Sequence, residues 1–226
     1  MRSFQEIFDI AAERKGGAQA LEDLLEPATS AAKLADIPND RWLAMMAKCI
    51  FNAGFNWKVV DAKWPGFEEA FEGFDPARVA MFHDDDFARL VSDTRIVRHG
   101  GKIRAVHENA IFCNALARES GKGPKGVGTV LGGWANEDYV GLLDMLKKRG
   151  SRLGGNTGQY FLRFMDRDGF ILSADVVARL IAEGVVDKAP TSKKAMGQVQ
   201  QAFNTWHDQS GRGLKEISRV LAMSVG

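Results

Sequence analysis

The chain has 226 residues, 45% of them hydrophobic and 26% charged, with a formal net charge of +1. That length can bury a substantial core without covalent staples. Its two cysteines, Cys49 and Cys113, neither build a disulfide framework nor supply a cysteine-rich zinc site. The N-terminal run MRSFQEIFDIAAERKGG is an amphipathic mixture rather than a signal peptide, and no apolar run approaches membrane-spanning length, so no membrane partner and a cytoplasmic location are expected.

In chain order, Phe4 to Lys15 reads as a helix with Phe4, Ile7, Phe8 and Ile10–Ala11 on one face, broken at Gly16–Gly17. A short helix carrying Leu21, Leu24 and Leu25 ends before Pro27. Residues 1–35 are expected to be a helical extension and 36–226 the main domain. Pro38-Asn39-Asp40 signals a helix start, with Asn39 or Asp40 able to cap, and the helix runs to about Asn52. Ala53-Gly54 interrupts it, and Phe55, Trp57, Val59 and Val60 open the next. Further short helices break at Pro65-Gly66 and at Asp75-Pro76, where Asp75 is the cap. Asp84 to Val91 is helical, with acidic residues in the first turn that suit the helix dipole.

Gly100-Gly101 starts a long helix, Lys102 to Glu119. Gly121 to Gly128 reads as a loop rich in Gly and Lys. Asn136 to Lys148, Thr191 to Gln209 and Leu214 to Val225 are further helices. No strand-period alternation occurs anywhere, so the fold class is all-α.

The stretch 146–166 joins two of these helices through a bend at Gly150, Gly154, Gly155 and Gly158. Tyr160, Phe161, Phe164 and Met165 then recur at helical spacing. Such a hairpin exposes backbone N–H groups at a helix start, which bind a phosphate oxygen without reading sequence. The candidate backbone contacts are Lys148, Arg152, Gly154, Gly155, Asn156, Thr157 and Gly158. Charge supports them. Between residues 122 and 163, Lys122, Lys125, Lys147, Lys148, Arg149, Arg152 and Arg163 face only Glu137, Asp138 and Asp144. The stretch 61–93 is acidic instead, with Lys63, Arg78 and Arg89 against nine carboxylates. A near-neutral chain with one basic region can still hold DNA.

With that hairpin the chain resembles the helix-hairpin-helix DNA glycosylases. AGFNW (Ala53 to Trp57), FEGFDPARVA (Phe71 to Ala80) and the Arg95-Ile96-Val97-Arg98-His99, Gly101-Lys102-Ile103, Asn109-Ala110 series resemble the 3-methyladenine DNA glycosylase I family. The likeness runs from about Trp42 to Asp175. It implies excision of an alkylated purine from double-stranded DNA, the base being flipped out of the duplex. No cofactor and a monomeric, bacterial, nucleoid-associated enzyme are expected.

The resemblance assigns Trp57 to base stacking, although a tryptophan at a helix start also serves as core. It places the family's pocket glutamate at Cys49, where a thiol cannot act as a charge-assisted acceptor. Asn52, one turn on, is a base-edge candidate or a polar helix end, and Phe51 completes the expected base pocket. The family's zinc cysteines and histidines are missing from both termini, so no metal is expected. Asp175 matches the superfamily's catalytic aspartate, or else complements the dipole of its own helix with Ser173 as cap. Asp166 and Asp168 read as exposed loop rivals. Gln159 stands where strand-nicking relatives carry a lysine nucleophile, so base removal without strand cleavage is expected. A non-catalytic lesion binder and a helical protein scaffold are the competing readings.

Overall fold

The computed structural model describes residues 1–225, and every regular element among them is helical. The chain divides into two compact groups. One combines residues 1–29, 135–141 and the described residues from 166 on; the other combines 30–134 and 142–165. Residues 1–29 therefore group with the C-terminal helices rather than forming a unit of their own.

In the first group, Phe4–Lys15 opens with a capping box at Ser3 and Glu6, and it packs on Leu214–Met223 and Lys193–Ser210. The core is apolar and aromatic: Phe170 stacks on Phe203 at 4.3 Å and meets Tyr139 edge-on at 4.8 Å. The N-terminus is tied in by charge. Arg2 donates to Glu183 from its backbone (2.8 Å) and its guanidinium (2.9 Å), and Arg179 adds a third bond at 3.2 Å. Asp166 and Asp168 are not free loop residues either, and they form a separate network around Lys215. Asp166 accepts from Thr29 and from Lys215 Nζ at 2.6 Å, while Asp168 accepts from Asn136 and from the Lys215 N–H.

The second group is built on two helices, Asn39–Asn52 and Gly100–Ser120, which pack along buried Leu43, Met46, Ile50, Ile103, Val106 and Leu116. Beside them Trp64, Phe67, Phe71 and Phe74 stack face to face with centroids 5.4–6.3 Å apart. The helix starts differ from expectation at one point. Pro38 takes the cap position and neither Asn39 nor Asp40 caps. Asn39 instead reaches across the fold, donating to the Gly123 carbonyl (2.9 Å) and accepting from the Val127 N–H (3.0 Å). Asp75 does cap Pro76–Val79, accepting from the Ala77 N–H at 2.8 Å.

Pro65 does not break a helix; it lies in the first turn of Trp64–Ala70, where its missing N–H costs nothing. The segment read as a loop is largely helical, Gly126–Gly132. Its glycines serve close packing. A Cβ on Gly128 would fall 2.3 Å from the Leu34 carbonyl oxygen, and one on Gly132 would fall 2.6 Å from Leu34 Cβ. The short helix Ala31–Asp36, which the sequence reading lacked, supplies Leu34 to that contact.

Candidate nucleic-acid interface and base site

The hairpin has the expected form. Tyr139–Arg149 ends in three basic residues, and Asn156–Phe164 begins after Gly155, whose φ of +59° only glycine adopts freely. No side chain caps that helix start. Its N–H groups, at exposed Gly155 and Asn156 and half-buried Thr157, therefore remain open to an anion. Gly158 lets the turn close: a Cβ there would lie 2.3 Å from the Leu153 carbonyl oxygen. Lys148 is drawn to Asp144 at 2.5 Å and Arg149 to Glu119, so exposed Lys147 and Arg152 are the more available cations. Arg152 itself takes a left-handed φ of +57°. A Cβ on Gly101 would be 3.0 Å from its guanidinium, so Gly101 gives it room.

The second half of the site follows the C-terminus of Asn39–Asn52. Lys102, nearly buried, donates to the carbonyls of Phe51 (3.1 Å) and Ala53 (2.5 Å) and lies 4.4 Å from the Phe55 ring. It satisfies carbonyls that a helix end otherwise leaves open. Burial first, and then nearby Arg152, pulls its ammonium below the ordinary lysine pKa. His99 caps the long helix through the Lys102 N–H at 3.3 Å and faces Phe55 edge-on. The loop so clamped presents Trp57, 47% exposed. Trp57 is not a core tryptophan: it meets Phe164 of the hairpin's second helix edge-on at 5.5 Å.

The structure separates the expected base-pocket residues. Asn52 is buried, and its Oδ1 has no hydrogen-bond partner. Such an atom costs about 1–3 kcal/mol unless something pairs with it. Phe51, in contrast, is fully buried against Phe67 at 4.6 Å and lines no open surface. It is corrected from pocket residue to core, because the helix turns it away from Asn52. Cys49 is also buried, and burial pushes its thiol up to about 12, so it is neutral at pH 7. Asp175 is exposed in the first turn of Ala174–Ala182, and Ser173 caps that helix by accepting from the Val176 N–H. Of the four apolar residues at helical spacing along the hairpin's second helix, Phe161 and Met165 are buried, while Tyr160 and Phe164, which no motif singles out, are exposed.

A cavity of about 1100 Å³ lies elsewhere, at the N-terminal end of Asn39–Asn52. Asp40 and Asp75 on its wall are held by Arg41 and by their own helix start, and no nucleophile or free base faces it. Among the described residues no three His, Cys, Asp or Glu side chains converge as a metal site.

These elements define a helix-hairpin-helix DNA glycosylase fold. A crystal structure of the 8-oxoguanine DNA glycosylase of Methanocaldococcus jannaschii shares it, with a TM-score of 0.51 at 13% identity over 96% of this chain and 92% of that one. Residues 38–125, about two fifths of the chain, match the methyladenine glycosylase family. DNA-3-methyladenine glycosylase 1 of Escherichia coli (strain K12) is 43% identical over 58 residues, 26% of this chain. The match spans 31%, under a third, of that relative's length. A crystal structure of a 3-methyladenine DNA glycosylase I is 27% identical, with a TM-score of 0.47 over 62% of this chain and 80% of that one.

Proposed function

We propose that the protein is a monofunctional DNA glycosylase that releases 3-methyladenine-type alkylated purines from duplex DNA and leaves an abasic site. The observation that carries this is the contact of Trp57, from the family segment, with Phe164, from the hairpin helix. A strand held by the open N–H groups at Gly155–Thr157 is thereby brought beside an exposed indole face. An alkylated purine is cationic in the nucleoside, so its glycosidic bond is already weak. The face of a tryptophan attracts such a cation, and the unpaired Asn52 Oδ1 can accept from an exocyclic amine. Little acid catalysis is then needed. Asp175 is the carboxylate we assign to the sugar, where it would stabilise the developing oxocarbenium ion or orient water on C1′. The C1′–N bond breaks with its electron pair going to the cationic base, which leaves neutral; water adds to C1′ and gives up its proton to Asp175 or solvent.

Incubation with methylated duplex DNA, with free bases measured by chromatography, tests the reading. Wild type should release 3-methyladenine, and Asp175→Asn should lower the rate by at least about a hundredfold. A fully active Asp175→Asn variant removes Asp175 from the mechanism.

Cys49 favours a second reading, a lesion-binding protein of the same fold that does not cut. A neutral thiol stands where the family carries its base-contacting glutamate. That reading requires salt-sensitive binding to methylated DNA with no free base at any enzyme concentration.

A further inference from the structure

Three large aromatic side chains stand together in solvent: Trp57 at 47% exposed, Phe164 at 42% and Tyr160 at 36%. They touch in series, with Trp57 edge-on to Phe164 at 5.5 Å and Phe164 stacked on Tyr160 at 6.0 Å and 29°. A single extruded base needs one ring face, so two rings remain unaccounted for. Their placement is regular. Asn156, Tyr160 and Phe164 recur every four residues along one edge of the hairpin's second helix, all exposed. That edge begins at the open N–H groups and runs roughly 12 Å, at 1.5 Å per residue, towards Trp57. Three or so stacked nucleotides, spaced roughly 3.4 Å apart, span that distance.

Charge favours a nucleic acid as occupant. Exposed Lys58 follows Trp57, exposed Arg152 lies in the turn that leads into the hairpin's second helix, and the carboxylate Asp61 is held by Lys48 at 2.8 Å. Exposed rings that touch one another, flanked by cations and starting from an anion-binding helix end, suit unpaired bases on a phosphate backbone. The cavity at the other end of Asn39–Asn52 differs in charge: three carboxylates, Asp40, Glu72 and Asp75, line it against one cation, Arg118, and no aromatic ring does.

We propose that Tyr160 and Phe164 form a stacking platform for unpaired nucleobases next to the one on Trp57, so that the protein binds single-stranded DNA in its own right. The proposal rests on the glycosylase reading only in taking DNA as the ligand. Sequence preference should be slight, because every base has a π-face.

Binding of a labelled, unmethylated oligothymidine, followed by fluorescence anisotropy, tests it against a mixed-sequence duplex. Wild type should bind the single strand, and binding should quench tryptophan emission. Tyr160→Ala and Phe164→Ala should each weaken single-strand binding by about five- to 150-fold, with duplex binding changed by less than about twofold. Phe164→Tyr keeps a ring and should bind as wild type, which separates lost stacking from lost folding. If the single strand binds equally well to all variants, or only the duplex binds, the platform is refuted while the glycosylase reading stands. If neither DNA binds, both fail.

Discussion

Asn52 shows how much a single atom can carry. Its Oδ1 is buried without a partner, so it weakens the folded state unless a ligand pairs with it. Which amide atom is oxygen follows from the hydrogen bonding around it, and either orientation leaves one buried atom for a base edge. Asn52→Ala should therefore split stability from activity. Thermal melting should show it no less stable than wild type, while release of 3-methyladenine falls about tenfold, the equivalent of one lost hydrogen bond near 1.4 kcal/mol. An ordinary structural asparagine would lower both together. The cysteines give a second residue-scale expectation. Burial raises both thiols to about 12. Neither should react with a thiol reagent at pH 8 until the protein unfolds, and both should react afterwards. The sign is that of a group whose folded pKa is raised. Stability is intact below the unfolded thiol value near 8.5 and falls as pH climbs from there towards 12.

Elements were legible in the sequence where periodicity and caps agreed. The long helix from Gly100, the Asp75-Pro76 start and the glycine-marked hairpin needed no tertiary information. Gly126–Gly132 was not legible, because Gly126, Gly128 and Gly132 are poor helix formers and their purpose lies in a neighbour. A Cβ on Gly128 meets both the Leu34 carbonyl and, at 2.9 Å, Trp42 Nε1. Gly128→Ala should therefore destabilise by about 1–3 kcal/mol, although alanine is the better helix former; denaturant unfolding would show the lower midpoint. An unchanged midpoint would mean that the helix can shift away from Leu34. The candidate site was only partly legible for a related reason. The motif pointed to Trp57, which is exposed, and to Asn52, which is buried with an unpaired Oδ1, but also to Phe51, which is core, and nothing local marked Phe164 as exposed. The apolar positions 160, 161, 164 and 165 fit a buried stripe, and no local rule says which edge of it stays in water. The acidic residues failed likewise. Asp166 and Asp168 bind partners 32 to 137 residues away, which composition does not reveal.

On the scale of the whole molecule, a net charge of +1 gives DNA little overall attraction. Any affinity has to come from a local patch, and several cations near the hairpin are already engaged: Lys148 by Asp144 and Arg149 by Glu119. The cations left for phosphate are few, chiefly Lys147 and Arg152, with the helix start adding partial charge. Counterion release makes this countable, since the slope of log K against log salt is about −0.9 per phosphate neutralised on duplex DNA. A titration over a range of salt should give a shallow slope, about −2 to −4. Arg152→Ala should reduce its magnitude by about one, and Lys148→Ala should change it less because Asp144 competes for that ammonium. A slope near −8 would require a second basic face. A protein that touches few phosphates cannot obtain its grip from the backbone alone, so exposed rings must supply a large share, and salt should then weaken binding to a single strand less steeply than binding to a duplex.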